Sequence, residues 1–171
     1  MRTMVAVALL LAAQAFAQGG GPLPDRTPPP RWQRFETGSF SVDMPGRPMT
    51  KTETLEAKNG RPVQYTTYTV DLGRSAYLTS TSDYDAKTAI SLNDAMDGIL
   101  SSWKNPRNLK RRKTTLYGVP ARIVDFTSED YRVVVRMFAI GRRLYQLAFT
   151  EMRGDFRPAH ADRFMRSFRL R

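Results

Sequence analysis

The sequence predicts an α+β fold, a mostly antiparallel sheet with two principal helices packed against it. Three observations point there. From Trp32 onward most of the chain alternates apolar and polar residues with period two. Two stretches, one starting near Leu92 and one around Ala161, change to helical spacing. Turn signals such as Pro45-Gly46, Asn59-Gly60 and Gly141-Arg142 punctuate the strands at short intervals. Alternating strands interrupted by helices define a sheet with helices packed on it.

The chain opens with an expected export signal over residues 1–17. Met1-Arg2-Thr3 is a short basic start, the apolar run from Met4 to Ala13 is too short to span a bilayer, and Ala15 and Ala17 supply the small residues of a cleavage site. Residues 18–31 form a Gly/Pro-rich linker. Gly19, Gly20 and Gly21 give slack, and Pro28-Pro29-Pro30 favours extended polyproline backbone. Residues 32–171 are expected to form one domain.

Within that domain Phe40, Val42 and Met44 alternate with Ser41 and Asp43, the pattern of a half-buried strand. Thr52 to Ala57 and Val63 to Leu72 flank Asn59-Gly60, which predicts a hairpin with a two-residue type I′ turn. Ser75 to Ser82 follows as a strand. Ser91 is placed to cap a helix that presents Leu92, Met96, Ile99, Leu100 and Trp103 on one face, and Asn105-Pro106 ends it. Four strands follow: Leu109–Tyr117, Ala121–Thr127, Tyr131–Ile140 and Arg143–Thr150. Asp155 is the expected cap of a short last helix carrying Ala161, Phe164 and Met165, and Phe168 to Leu170 leaves it as a brief strand. Trp103, Phe138, Leu147 and Phe164 are expected to share one core cluster.

Several of these segments together resemble a pattern found in exported bacterial domains of unknown function. Phe40 to Gly46 is similar to their "F-x-V-x-M-P-G" opening, and Gly118 to Arg122 to their "G-x-P-G-R" turn, with Ala121 in place of the second glycine. Arg136 to Leu147 is similar to their "R-x-F-x-V-G-x-R-L-Y-Q-L" hairpin, and Arg163 to Phe168 to their "R-F-x-x-S-F" ending. In layout such domains are similar to the PsbP/Mog1-like sandwich. The resemblance implies a non-enzymatic binding or assembly module. It implies no catalytic residue, because the matched positions are turns and core.

Composition narrows the chemistry further. The 171 residues hold no Cys and one His, which excludes disulfides, thiol nucleophiles, Cys-ligated metals and multi-His metal sites. No cofactor motif is present. His160, with Asp155, Asp162 and Ser167 nearby in sequence, keeps a small secreted hydrolase-type enzyme open as the alternative, although His160 is expected on the solvent side of its helix. Asp83, Asp85, Asp94 and Asp97 lack the spacing and terminal Glu of a calcium loop.

Charge carries the most functional information. Lys and Arg number 27 against 16 acids, a net charge of +11. Lys104, Arg107, Lys110, Arg111, Arg112 and Lys113 place six positive groups in ten residues with no acid among them. Their poor apolar alternation predicts an edge strand blunted by charge, a device that deters edge-to-edge aggregation. The same six residues are the candidate binding surface for a polyanion or acidic partner. A second group, Arg157, Arg163, Arg166, Arg169 and Arg171, lies at the C-terminus. In an exported protein the partners this chemistry suits are anionic lipid head groups, envelope polysaccharide or an acidic envelope protein. Export separates the chain from nucleic acid.

Overall fold

The computed structural model describes residues 31–57 and 59–171. The expected signal at 1–17 and all of the linker except Arg31 lie outside the described residues. In chain order the elements are β1 (Gln33–Glu36), β2 (Phe40–Met44), β3 (Met49–Glu56), β4 (Pro62–Asp71), β5 (Ser75–Asp83), α1 (Leu92–Ser101), β6 (Arg107–Leu116), β7 (Val119–Ser128), β8 (Tyr131–Ile140), β9 (Arg143–Met152), α2 (Pro158–Ser167) and β10 (Arg169–Leu170). Seven strands form one antiparallel sheet in the order β3-β4-β5-β9-β8-β7-β6, and β1-β2-β10 form a second, smaller antiparallel sheet.

This architecture corrects the expected fold class. The molecule is mostly β, and its helices are minor elements of ten residues each. The physical reason lies in how the large sheet is covered. Each helix buries only three residues, Met96, Ile99 and Leu100 on α1 and Ala161, Phe164 and Met165 on α2. Much of one sheet face is instead closed by β2, whose Phe40, Val42 and Met44 are fully buried. The partner strand β1 was not apparent from the pattern, since its only large apolar residue is Phe35.

Both faces of the large sheet are buried, so there are two cores. On the face toward the small sheet and α2, Tyr77, Phe138, Tyr145, Leu147, Phe149, Phe164 and Phe168 pack together with β2. On the opposite face, Val124, Phe126, Val133, Val135 and Met137 pack against α1. Phe138, Leu147 and Phe164 share a cluster as expected, but Trp103 is half-buried against the other one, edge-on to Phe126 at 5.8 Å. A strand pattern gives the alternation of its residues without saying which face a distant helix will cover.

Local signals held in some places and failed in others. Ser91 caps α1 by accepting a hydrogen bond from the Asp94 N–H at 3.2 Å. The β3–β4 hairpin forms, but Glu56 pairs with Pro62, leaving a five-residue loop rather than a two-residue turn. Pro62 has no N–H to extend the ladder, and the loop closes through Ala57 N–H to the Arg61 carbonyl at 2.8 Å. Asp155 does not cap α2. Arg157 occupies that position ahead of Pro158, and Asp155 pairs with Arg74 at 2.5 Å. Two-residue connections form at Tyr117-Gly118, Glu129-Asp130 and the expected Gly141-Arg142, the first with φ of 53° and 76°. A tyrosine in the left-handed region is costly. Its ring packs 5.2 Å from Phe138 and its hydroxyl donates to the Phe168 carbonyl at 2.7 Å, contacts that offset the cost.

Candidate binding surface

The six predicted basic residues lie where the large sheet ends. β6 is hydrogen-bonded to β7 alone, and Arg107 to Thr115 are exposed along its whole length. Lys110 and Arg112 lie on the face that carries the small sheet; Arg111 and Lys113 lie on the α1 face. Asn105 and Asn108 adopt positive φ, and the register shifts between Arg107 and Lys110, so the chain kinks as it enters the strand. Lys104 sits just before that kink.

Two of the six have acidic partners, Arg111 with Asp97 of α1 at 3.0 Å and Lys104 with Glu129 at 3.7 Å. Among the described residues no salt bridge reaches Arg107, Lys110, Arg112 or Lys113. Asp125 lies opposite Lys110 in register, but both its oxygens accept from Arg132, at 3.0 and 2.8 Å. Lys113 lies opposite Arg122, a like-charged pair across the ladder. The edge therefore carries uncompensated positive charge on both faces.

The C-terminal arginines mostly serve the fold. The last carbonyls of a helix have no partner within it, and in α2 side chains supply the donors. Ser167 Oγ donates to the Phe164 carbonyl at 2.8 Å, Arg136 to Met165 at 2.9 Å, Arg169 to Arg166 at 2.5 Å and Arg34 to Ser167 at 2.7 Å. Arg171 pairs with Glu36 at 2.8 Å, and Arg163 lies over the Trp32 ring. Sequence reasoning missed Arg34 and Arg136 as parts of this arrangement. The available signal was Arg136 itself, a charge set within the apolar run Val133 to Phe138.

His160 is half-buried, not on the solvent side as expected. Its Nδ1 lies 3.4 Å from the Tyr77 hydroxyl and 3.9 Å from Glu151, and its ring meets Trp32 edge-on at 6.0 Å. Burial pulls its pKa down, reinforced by Arg157 and Arg163. Burial pushes the Glu151 carboxyl up, opposed by the Arg157 backbone N–H that donates to it at 2.6 Å. Burial likewise raises the Tyr77 phenol. Asp155 is held by Arg74, and Ser167 Oγ accepts from the Asp43 N–H while donating within α2, so neither joins His160.

The four aspartates weighed as calcium ligands are dispersed. Asp83 pairs with Arg143, Asp85 with Arg61, Asp97 with Arg111, and Asp94 lies in the first turn of α1. Among the described residues no group of three or more His or acidic side chains is placed to hold a metal ion. A cavity of about 270 Å³ opens between the β3–β4 loop and the start of α1, lined in part by Ala57, Tyr84, Ile90 and Asp94. Neither His160 nor any of the six basic residues lines it.

A seven-stranded antiparallel sheet backed by a three-stranded one defines a PsbP-like fold. The particular likeness is to cyanobacterial PsbP (CyanoP) from Synechocystis sp. PCC 6803, whose solution structure covers 88% of this chain and 100% of its own at a TM-score of 0.52 and 12% identity. That identity carries the fold and nothing finer. No family model and no curated protein matches the sequence. No helix among the described residues is long and apolar enough to cross a membrane.

Proposed function

We propose that this chain is an exported, non-enzymatic binding or assembly module of the cell envelope that engages an anionic partner through β6. One observation carries the reading: an edge strand exposed on both faces whose Arg107, Lys110, Arg112 and Lys113 have no acidic partner among the described residues. Charge on an edge strand also deters edge-to-edge pairing. A run this long, opposite a second like-charged residue at Arg122, raises the local potential in the way that attracts a polyanion. Export is supported by the basic start, short apolar run and Ala15/Ala17 pair of residues 1–17. The hydrolase alternative has weaker support, because His160 Nδ1 faces the Tyr77 phenol rather than an aligned serine or water-activating site.

The test is co-sedimentation of the protein with vesicles bearing anionic lipid and with anionic envelope polysaccharide, over rising salt. Binding through β6 should weaken steeply as the Debye length falls from about 10 Å at about 0.1 M to about 3 Å at about 1 M. Absence of association with any of these at low salt, or binding indifferent to salt, overturns the reading.

A further inference from the structure

We propose that Arg112, Arg136 and Arg166 form a notch that binds a phosphate monoester group above β7, flanked by β6, β8 and the end of α2. The inference deepens the reading of β6 as an anionic binding edge by naming the group it anchors. Arg112 pairs with Ile123, and Ile123 with Arg136, so the three lie in one row on one sheet face. With strands about 4.8 Å apart, the two arginine backbones stand about 10 Å from each other. In this proposal one tetrahedral oxyanion sits above Ile123 and is held by both side chains.

Arg136 is only partly committed to the fold. It spends one donor on the Met165 carbonyl, at 2.9 Å, and its Nε is buried with no hydrogen-bond partner. A guanidinium has five N–H donors in a fixed fork suited to phosphate oxygens. Arg166, the next residue after Met165, has no task at the helix end. The Phe164, Met165, Arg166 and Ser167 carbonyls already accept from Ser167, Arg136, Arg169 and Arg34. Its side chain is exposed and forms no salt bridge among the described residues, and Arg112 is in the same position.

Like charges are gathered here against their own repulsion. Burial pulls the Arg136 guanidinium below its ordinary pKa, and Arg166 and Arg112 add to that, while Tyr117 and Asp162 act the other way. Three guanidinium groups with Asp162 as the neighbouring acid leave an excess near two positive charges. A phosphate monoester carries about −1.5 to −2 at pH 7, whereas a diester carries one charge. The ligand chemistry is therefore a terminal phosphate, from a lipid head group or free in solution.

The experiment uses the full chain and Arg166→Gln, an exposed change outside the β6 run, with Arg136→Lys as a second variant. Inorganic phosphate is titrated by calorimetry and by thermal unfolding against chloride at matched ionic strength. Wild type should bind phosphate and gain in Tm over chloride, and both variants should lose at least tenfold in affinity. In chloride, Arg166→Gln should melt at or above the wild-type temperature, because a repulsion has been removed. Vesicles containing phosphatidic acid should hold the wild type more tightly than phosphatidylglycerol vesicles of equal surface charge, a preference absent from Arg166→Gln. Phosphate binding without that preference assigns the notch to a soluble phosphate. Equal response of wild type and Arg166→Gln, or chloride matching phosphate, overturns the notch even where salt-sensitive vesicle binding through β6 persists. Loss of all vesicle binding with retained phosphate binding overturns the envelope reading and leaves the notch standing.

Discussion

Truncating Phe138 to alanine perturbs the point where the two sheets are tied together. The side chain is fully buried on the face of the large sheet that meets β2, α2 and β10. Its ring stacks on Tyr145 at 5.2 Å, lies 5.2 Å from Tyr117, and meets Phe168 edge-on at 5.7 Å. A large buried aromatic replaced by alanine costs about 3–5 kcal/mol, from lost transfer energy plus the cavity left behind. Three aromatic partners, each pair adding about 0.5–1.5 kcal/mol beyond area, place this position in the upper part of that range. Total stability of a single domain is about 5–15 kcal/mol, so the variant should fold but sit near its limit. The assay is urea unfolding followed by fluorescence, read for a shift in midpoint at constant slope. With a slope of about 2 kcal/mol per molar the midpoint should fall by about 2 M. Phe138→Leu, which refills part of the space, should recover part of the loss. A cost below about 1 kcal/mol would place Phe138 outside the core and refute the β7–β8–β9 register.

Two further outcomes test local features. Gly118→Ala should cost about 1–2 kcal/mol in thermal unfolding from backbone strain alone, since φ is +76° and an added Cβ would meet nothing within 4 Å; an unchanged Tm would contradict the turn assignment. His160 should make stability pH-dependent. Its folded pKa lies below the unfolded value, so its contribution is fully present above about pH 6.5 and is lost as pH falls through the folded value. Glu151, raised by burial, acts in the opposite sense: its contribution is present below about pH 4.5 and is lost as pH rises through its folded value. Unfolding of wild type and His160→Asn should therefore diverge on acidification from pH 7 toward pH 5, and parallel curves would contradict the buried placement of His160.

Much of the strand content was legible because alternation and turn residues are local. The β2 pattern Phe40-Ser41-Val42-Asp43-Met44, the Ser91 cap and the Gly141-Arg142 turn each depend on neighbours within a few residues. Face assignment was not legible. Trp103, from helical spacing, and Phe138, from strand alternation, both read as core, yet they lie on opposite sides of the large sheet because α1 and β2 cover different faces. The arginines of α2 show the same limit. Arg34 reaches the Ser167 carbonyl across 133 residues of chain, so a cap that would have explained part of the C-terminal charge has no local signature. His160 looked solvent-facing from its flanking Pro158 and Ala159, whereas Glu151 and Tyr77 of the sheet, and Trp32 before β1, enclose it from elsewhere in the chain. The basic edge was legible since six like charges in ten residues fit poorly in a sheet interior, and β6 is indeed the terminal strand.

The most direct test of the β6 surface is salt-resolved vesicle and polysaccharide binding by a variant carrying Lys110→Gln, Arg111→Gln, Arg112→Gln and Lys113→Gln, measured beside the wild type. Exposed substitutions shift stability by about ±0.5 kcal/mol each, so the variant should melt within a few degrees of the wild type, with the lost Arg111–Asp97 pair contributing little. Its salt-sensitive association should be abolished. A wild type that never associates with any polyanion, together with a variant that precipitates through its uncharged edge, would contradict the binding claim and leave β6 as a strand charged only to keep other strands away.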